Sequence, residues 1–296
     1  MDSDSHERHP STHPMLTDTH AHLDFPDFAD DLPQILDRAA AAGVTRILTI
    51  GTSVESSRRA VALAEQHPQV FAIVGVHPNN AAEAAPDFID QLRALAQNPR
   101  VVALGETGLD YHRLPGTGQH RTALDVIGDA TTADLEANIH SAAVRNQQAI
   151  VFEQQLDLAA ELGLNVVIHE RDAWDDTLAI LKKRPGPLRA VFHCFGKSPA
   201  HAQSILDLGH LVSFTGIVTF KNAPDAQATA RTLRAGSFMV ETDCPYLAPV
   251  PFRGKRCEPA HTRNTADFIA TLRGEPLDQL ATHTTQTADA FFRFPR

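Results

Sequence analysis

Cysteine is scarce in this chain: Cys194, Cys244 and Cys257 are the only three in 296 residues. They form no CxxC pair and no even framework, so structural disulfides are not expected and a reducing, cytoplasmic setting suits the sequence. Positive charge is also in short supply. A formal net charge of -10 excludes a broad basic face that holds nucleic acid by counterion release, which needs clustered Lys and Arg. A polyanionic substrate would have to be held locally, by metal ions and a few cations. No apolar run is long enough to span a membrane. Residues 1–14 are polar, with His6, His9 and His13, and carry neither an apolar signal core nor a twin-arginine pair, so they read as a disordered lead-in. No G-x-G-x-x-G follows the first apolar stretch, which removes a dinucleotide-binding sheet from consideration.

Histidine, by contrast, is plentiful, at 16 residues. The stretch Asp18-Thr19-His20-Ala21-His22 follows a short apolar entry, Met15-Leu16. In extended backbone, side chains at i and i+2 point the same way, so His20 and His22 can grip one metal ion together. From there a strand-then-helix rhythm repeats. Strands are expected near 15–17, 44–50, 70–76, 101–104, 164–168, 188–192, 210–214 and 238–240. Helices are expected at 30–42, 54–66, 86–96, 149–162, 174–183, 199–208 and 226–233. About eight strands alternating with helices is the pattern of parallel crossover units, found in open doubly wound sheets and in closed barrels. The placement of the polar residues selects the barrel. His20 and His22, His77, Glu106, His169, His193 and Asp243 each follow an apolar strand, and in a barrel those strand ends meet at one mouth. The expected fold is therefore α/β, a TIM-type (β/α)8 barrel over residues 15–296 as a single domain, with an insertion at about 113–147.

Four imidazoles (His20, His22, His169, His193) and two carboxylates (Glu106, Asp243) are enough for two divalent ions, one carboxylate bridging. Such a pair, roughly 3.5–4 Å apart, polarises a phosphoryl or acyl oxygen and makes hydroxide available near neutral pH. Cys194 and Cys244 each neighbour one of these residues. Strand neighbours face opposite sides, so both thiols are expected to point away into packing. Asp24 and Asp110 lie just past ligand-bearing segments and could orient imidazole N–H groups or cap turns. The insertion is expected to be helical over 132–147, with Thr132 as cap and Leu135, Ile139 and Ala142 on one face. It follows the fourth strand and could be a lid over the mouth, a solvated insertion or a self-association surface.

The motifs Asp18-Thr19-His20-Ala21-His22-Leu23-Asp24, Gly75-Val76-His77-Pro78, Gly105-Glu106-Thr107-Gly108-Leu109-Asp110-Tyr111, Val167-Ile168-His169-Glu170-Arg171-Asp172-Ala173, Phe192-His193-Cys194-Phe195 and Glu241-Thr242-Asp243-Cys244-Pro245-Tyr246 occur in that order. In this combination the chain resembles the TatD family of metal-dependent deoxyribonucleases, within the metal-dependent hydrolase superfamily, from about Leu16 to Phe292. The resemblance implies a catalytic Asp243 and Glu106. His20, His22 and Asp243 would hold one metal, His169 and His193 the other, with Glu106 bridging and Asp243 as proton acceptor. It implies cleavage of DNA at ends or in single strands, as a 3'-5' exonuclease, with no membrane or obligate protein partner. Four imidazoles suit Zn²⁺ or Mn²⁺ better than the Mg²⁺ usually given for the family, and the metal stays open. Substrate-binding candidates are Arg253 and Lys255 in the late basic turn, Arg171, His77, and Tyr111 as a stacking face for a base. Where the family has Asn-Glu-Pro after that turn, this chain has Cys257-Glu258-Pro259. The same barrel could instead serve amide, lactone or small phosphoester hydrolysis, or hold metals without turnover.

Overall fold

The computed structural model describes residues 15–112, 114, 132–184 and 186–295. Eight strands run in sequence order around one parallel sheet. They are β1 (Leu16–Ala21), β2 (Val44–Ile50), β3 (Val70–Val74), β4 (Val101–Asp110), β5 (Asn165–Arg171), β6 (Ala190–Phe192), β7 (Leu211–Phe214) and β8 (Phe238–Val240). The ends of the sheet meet: the Asp243 amide donates to the His20 carbonyl at 2.8 Å, and the His22 amide to the Cys244 carbonyl at 2.9 Å. That closure makes the sheet the TIM-type barrel expected from the alternation.

Helices α1 (Leu32–Ala41), α2 (Val54–Gln66), α3 (Phe88–Leu95), α4 (Thr132–Leu162), α5 (Trp174–Lys182), α6 (Pro199–Asp207) and α7 (Pro224–Thr232) connect successive strands. Local chemistry sets their ends. The Ser53 hydroxyl accepts the Ser56 amide to cap α2, and Gly43, at φ 87°, takes the left-handed conformation that stops α1. Two features differ from the sequence reading. The segments at 132–147 and 149–162 form one helix of 31 residues, and two residues of the expected apolar face, Ile139 at 70% and Ala142, are exposed. Helices α8 (Thr262–Arg273) and α9 (Leu277–Phe292) follow the last strand and had no counterpart among the expected elements. The expected tail at 1–14, and residues 113 and 115–131 of the insertion at about 113–147 that was read as a lid, a solvated insertion or a self-association surface, lie outside the described residues.

The period of two along the strands sorts the barrel interior into two levels. Val167, Val191, Leu211 and Met239 belong to an apolar cluster with residues of β2, β3 and β4. Two positions further along the same strands or just past them stand His169, His193, Ser213 and Glu241. The interior therefore changes from apolar to polar toward the C-terminal ends. At the opposite end α9 supplies Ala288, Phe291 and Phe292 to the apolar cluster, and Asn165 donates to the Phe291 carbonyl at 2.5 Å. This late helix is the plug of the barrel floor. Among the described residues no helix is long and apolar enough to cross a membrane.

Removing the plug's central ring opens a void that the surrounding strands cannot refill. Phe291→Ala is expected to lower unfolding free energy by roughly 3–5 kcal/mol, read by denaturant titration. A second expectation concerns acid. Burial, helped by the nearby Arg189 guanidinium, pulls His210 down to about 4 from the ordinary 6.5, while its Nδ1 accepts the Ala190 amide. The stability contributed by keeping this ring neutral is full above pH 6.5 and is lost as pH falls to 4, by roughly 3 kcal/mol. His210→Gln should flatten stability against pH in that window, and an unchanged slope would refute the assignment.

Candidate metal centre

Glu106 stands at the bottom of the mouth, and the backbone that places it is irregular. The sequence reading ended the fourth strand before Gly105-Glu106, but β4 continues to Asp110, with a register shift against β5 between Leu104 and Thr107. Gly105 sits at φ 137°, a conformation open to glycine, and the interruption turns Glu106 into the barrel. Gly108 then lets β4 return to β5: a Cβ there would lie 2.0 Å from the His169 carbonyl oxygen.

The two oxygens of Glu106 face two different pairs of imidazoles. Oε1 lies 2.7 Å from His169 Nδ1 and 2.7 Å from His193 Nε2. Oε2 lies 3.4 Å from His20 Nε2 and 3.7 Å from His22 Nε2. Asp243 Oδ1 closes the second group, 3.4 Å from His22 Nε2 and 3.7 Å from His20 Nε2. All six residues expected to meet do meet, although His22, His193 and Asp243 lie just beyond their strands, and Asp243 adopts φ 59°.

The far nitrogens show which lone pairs are free. His22 Nδ1 is 3.1 Å from the Ile50 carbonyl, an acceptor only, so Nδ1 carries a proton, and in the neutral ring Nε2 is the nitrogen whose lone pair a cation would take. His169 Nε2 is 3.3 Å from Asp110 Oδ2. Burial would raise Asp110, but hydrogen bonds from His169 and the His112 amide hold its carboxyl at about 2, so it too accepts, and Nδ1 is the His169 nitrogen turned to Glu106. His193 Nδ1 faces Glu241 Oε1 at 3.6 Å, and Glu241 is itself held by Ser213 Oγ at 2.5 Å and the Cys194 amide at 2.6 Å. His20 has neither ring nitrogen hydrogen-bonded, although it is fully buried. An imidazole so placed is costly unless something else satisfies it. The donor set of four imidazoles and two carboxylates fits divalent cations, and His20-His22-Glu106 and His20-His193-Asp243 each converge within metal-ligand reach.

His77 is wired the other way round. It lies 3.6 Å from Glu106 Oε1 and groups with Glu106 and His169 by distance alone. Yet its Nδ1 accepts the Asn79 amide at 3.1 Å, which leaves the proton of the neutral ring on Nε2. Burial, with His169 and His193 adding to it against Glu106, brings this histidine down to about 3, so the ring is neutral and offers an N–H to the cavity. Burial pushes Glu106 up, but the surrounding imidazoles outweigh it and keep its carboxyl ionised. Asp243 is likewise held low against burial, first by His22.

A cavity of about 710 Å³ opens above these groups and is lined by His22, Phe25, His77, Asp110, Arg171, Cys194, Asp243 and Tyr246 among others. Arg171 and His77 are where the sequence placed them. Tyr111 is not: its hydroxyl donates to Asp176 at 2.8 Å, the Arg145 guanidinium covers one face of its ring at 4.5 Å, and the residue is buried away from the cavity wall. Arg253 and Lys255 are exposed and do not line the cavity. Arg253 stacks on Phe220 at 4.3 Å, and the turn is drawn toward α1 by Arg256 on Asp31 and by Arg38 on Glu258, both at 2.6 Å. Cys194 also departs from expectation. It follows β6 at φ 50°, where strand alternation no longer applies, and its thiol lies 3.4 Å from Thr215 on the cavity wall. Burial pushes that thiol up to about 12, so it is protonated and a poor ligand. Cys244 is buried in the core as expected. Of the two candidate orienters Asp110 holds His169, whereas Asp24 binds Ser56 at 2.7 Å and Arg59 at 3.0 Å.

Residues the sequence did not single out hold the mouth together. Gln155 of α4 accepts the Val76 amide at 2.8 Å and donates to Thr107 at 2.7 Å. Gln148, about two turns earlier on the same face, accepts the Asp110 amide at 3.0 Å and donates to its carbonyl at 3.1 Å. Both are polar positions on a helix face turned to the barrel, the one local signal that marked them.

Comparison with known proteins agrees with this architecture. The profile of the TatD related DNase family matches residues 17–293. The metal-dependent hydrolase YcfH of Escherichia coli (strain K12) is 36% identical over 282 residues, 94% of this chain and 96% of its own. The protein named 3'-5' ssDNA/RNA exonuclease TatD of Erwinia amylovora is 32% identical over 284 residues, 94% of this chain and 99% of its own. The crystal structure of YJJV, a TatD homolog from Escherichia coli K12, superposes with a TM-score of 0.80 at 28% identity, covering 95% of this chain and 98% of that one. A profile match along nearly the whole barrel, joined to relatives of this identity and coverage, establishes that the chain belongs to the TatD family of metal-dependent hydrolases.

Proposed function

We propose that this hydrolase cleaves phosphodiester bonds in DNA with two divalent cations, removing nucleotides from the 3' end of single strands. The observation that carries the reading is the division of Glu106, one oxygen toward His169 and His193 and the other toward His20 and His22. A single buried carboxylate placed between two imidazole pairs is suited to bridging two cations. Such cations supply Lewis acidity, polarising a phosphoryl oxygen and lowering the pKa of a water. The preference for Zn²⁺ or Mn²⁺ over Mg²⁺ rests on the four nitrogen donors. The polarity of cleavage rests on the name of the Erwinia relative.

The chain's own groups divide the remaining work. Asp243, ionised and on the cavity wall, orients the attacking water and takes its proton. Arg171 pairs with the phosphate through its planar fork. His77, neutral, directs its Nε2–H at a non-bridging phosphoryl oxygen, which gains charge as the phosphorus is attacked. Asp110 and the Ile50 carbonyl fix the rings of His169 and His22, so the lone pairs need not reorganise.

The test is a metal-titrated assay on end-labelled single- and double-stranded DNA. Asp243→Asn is expected to lower turnover by about 10²–10⁴-fold at saturating metal with the fold retained. Activity equal to the parent would point to a contaminating nuclease. Elemental analysis separates the histidines: His22→Asn should lose about one bound ion per chain, whereas His77→Ala keeps the parent's full complement. Turnover of His77→Ala should nevertheless fall, by roughly 10²-fold. Loss of an ion from His77→Ala would make that ring a ligand instead.

A further inference from the structure

Two aromatic rings are fastened to the metal centre by matching turns. Phe25 stands three residues after His22, and its amide donates to the His22 carbonyl at 3.2 Å. Tyr246 stands three residues after Asp243, and its amide donates to the Asp243 carbonyl at 3.0 Å. Each ring is thus registered to a candidate ligand by one tight turn. Phe25 stacks on the His22 ring, with centroids 4.7 Å apart and planes at 17°, so it lies one ring thickness from the cluster. Tyr246 meets it edge-on at 6.4 Å and 74°. Tyr246 is 55% exposed although it lines the cavity, an unusual position for a ring with no partner of comparable size covering it.

We propose that Phe25 and Tyr246 form a shelf on which the base of the terminal nucleotide stacks while its phosphate lies at the metal centre. This subsite rests on the phosphodiesterase reading above and adds to it the source of single-strand preference. Apart from the histidines they are the only aromatic side chains on the cavity wall among the described residues, and Arg171 is the only Lys or Arg there. In a chain of net charge -10, charge offers little affinity for a nucleotide beyond its phosphate. An aromatic face holds any base, because every base presents a π-face, and so it binds without reading sequence. A base inside a duplex has both faces already stacked, so the shelf favours single strands and frayed ends.

The experiment compares two single strands that differ only in the 3'-terminal residue, one bearing a base and the other a tetrahydrofuran abasic analogue. Tyr246→Ala is expected to lower kcat/KM roughly tenfold on the base-bearing strand and to leave the abasic strand near the parent value, with Tyr246→Phe restoring the difference. An equal effect on both strands, or none on either, overturns the shelf. A binding arm keeps this apart from the catalytic reading. A strand ending in 2-aminopurine is titrated into parent and Tyr246→Ala protein, each in the Asp243→Asn background. Quenching present with Tyr246 and lost without it supports the shelf; quenching absent from both, or equal in both, overturns it. If the parent cleaves no strand with Zn²⁺, Mn²⁺ or Mg²⁺, the nuclease reading fails, and the quenching arm still decides whether a base stacks there.

Discussion

An ionised carboxylate buried at the floor of an open mouth is the constraint around which this barrel is arranged. Glu106 is 2% exposed, and a charge so placed is tolerated only where opposite or coordinating groups surround it. Imidazoles from β1, from β5 and from the turn after β6 do this. They can converge because eight parallel strands, closed by the hydrogen bonds between residues 20–22 and 243–244, deliver their C-terminal ends to one rim. The irregular stretch at Gly105 in β4, the glutamine clamps of α4 and the Asp110–His169 contact all hold this one carboxylate and its ring of nitrogens in place.

The interior serves stability and chemistry at different heights. The lower level is apolar and closed by the aromatic end of α9, where packing can be tight and dry. The upper level consists of groups that would be costly to bury without partners. Its cohesion comes from directed contacts, such as Ser213 and the Cys194 amide on Glu241. Because strand side chains alternate, the two levels are two successive positions on the same strands. The candidate ligands are therefore mounted on barrel strands or just past their ends, which limits the reorganisation a reaction would require.

Electrostatics also explain how an acidic chain can serve a polyanion. The imidazoles and carboxylates of the mouth form candidate cation-binding groups, and the far sides of His22 and His169 are tied off by acceptors. His77 breaks that pattern and so turns a proton toward the cavity in place of a lone pair. With one guanidinium on the wall, positive charge outside the imidazoles is confined to Arg171, and the rest of the wall mixes aromatic and aliphatic side chains with neutral amides and carboxylates.

Strand and helix alternation, the barrel, and the five residues that gather around Glu106 were all legible from the chain, because apolar periodicity is local and the motifs follow apolar strands in the same way. The residues 132–162 also read as helical, but their continuity as one helix did not, since nothing local marks where two adjoining helical stretches join. Direction was decided by the tertiary structure. Tyr111 was drawn to Asp176 and covered by Arg145; Arg253 and Lys255 stayed outside the cavity as neighbouring ion pairs tied their turn to α1; Cys194 entered the wall because it lies past the end of β6. Likewise the identity of the nitrogen that bears the proton in His22, His169 or His77 depends on a partner from elsewhere in the fold or from a turn. Residue type and spacing determine which groups reach the mouth, whereas orientation and protonation follow from contacts that exist only once the barrel has closed.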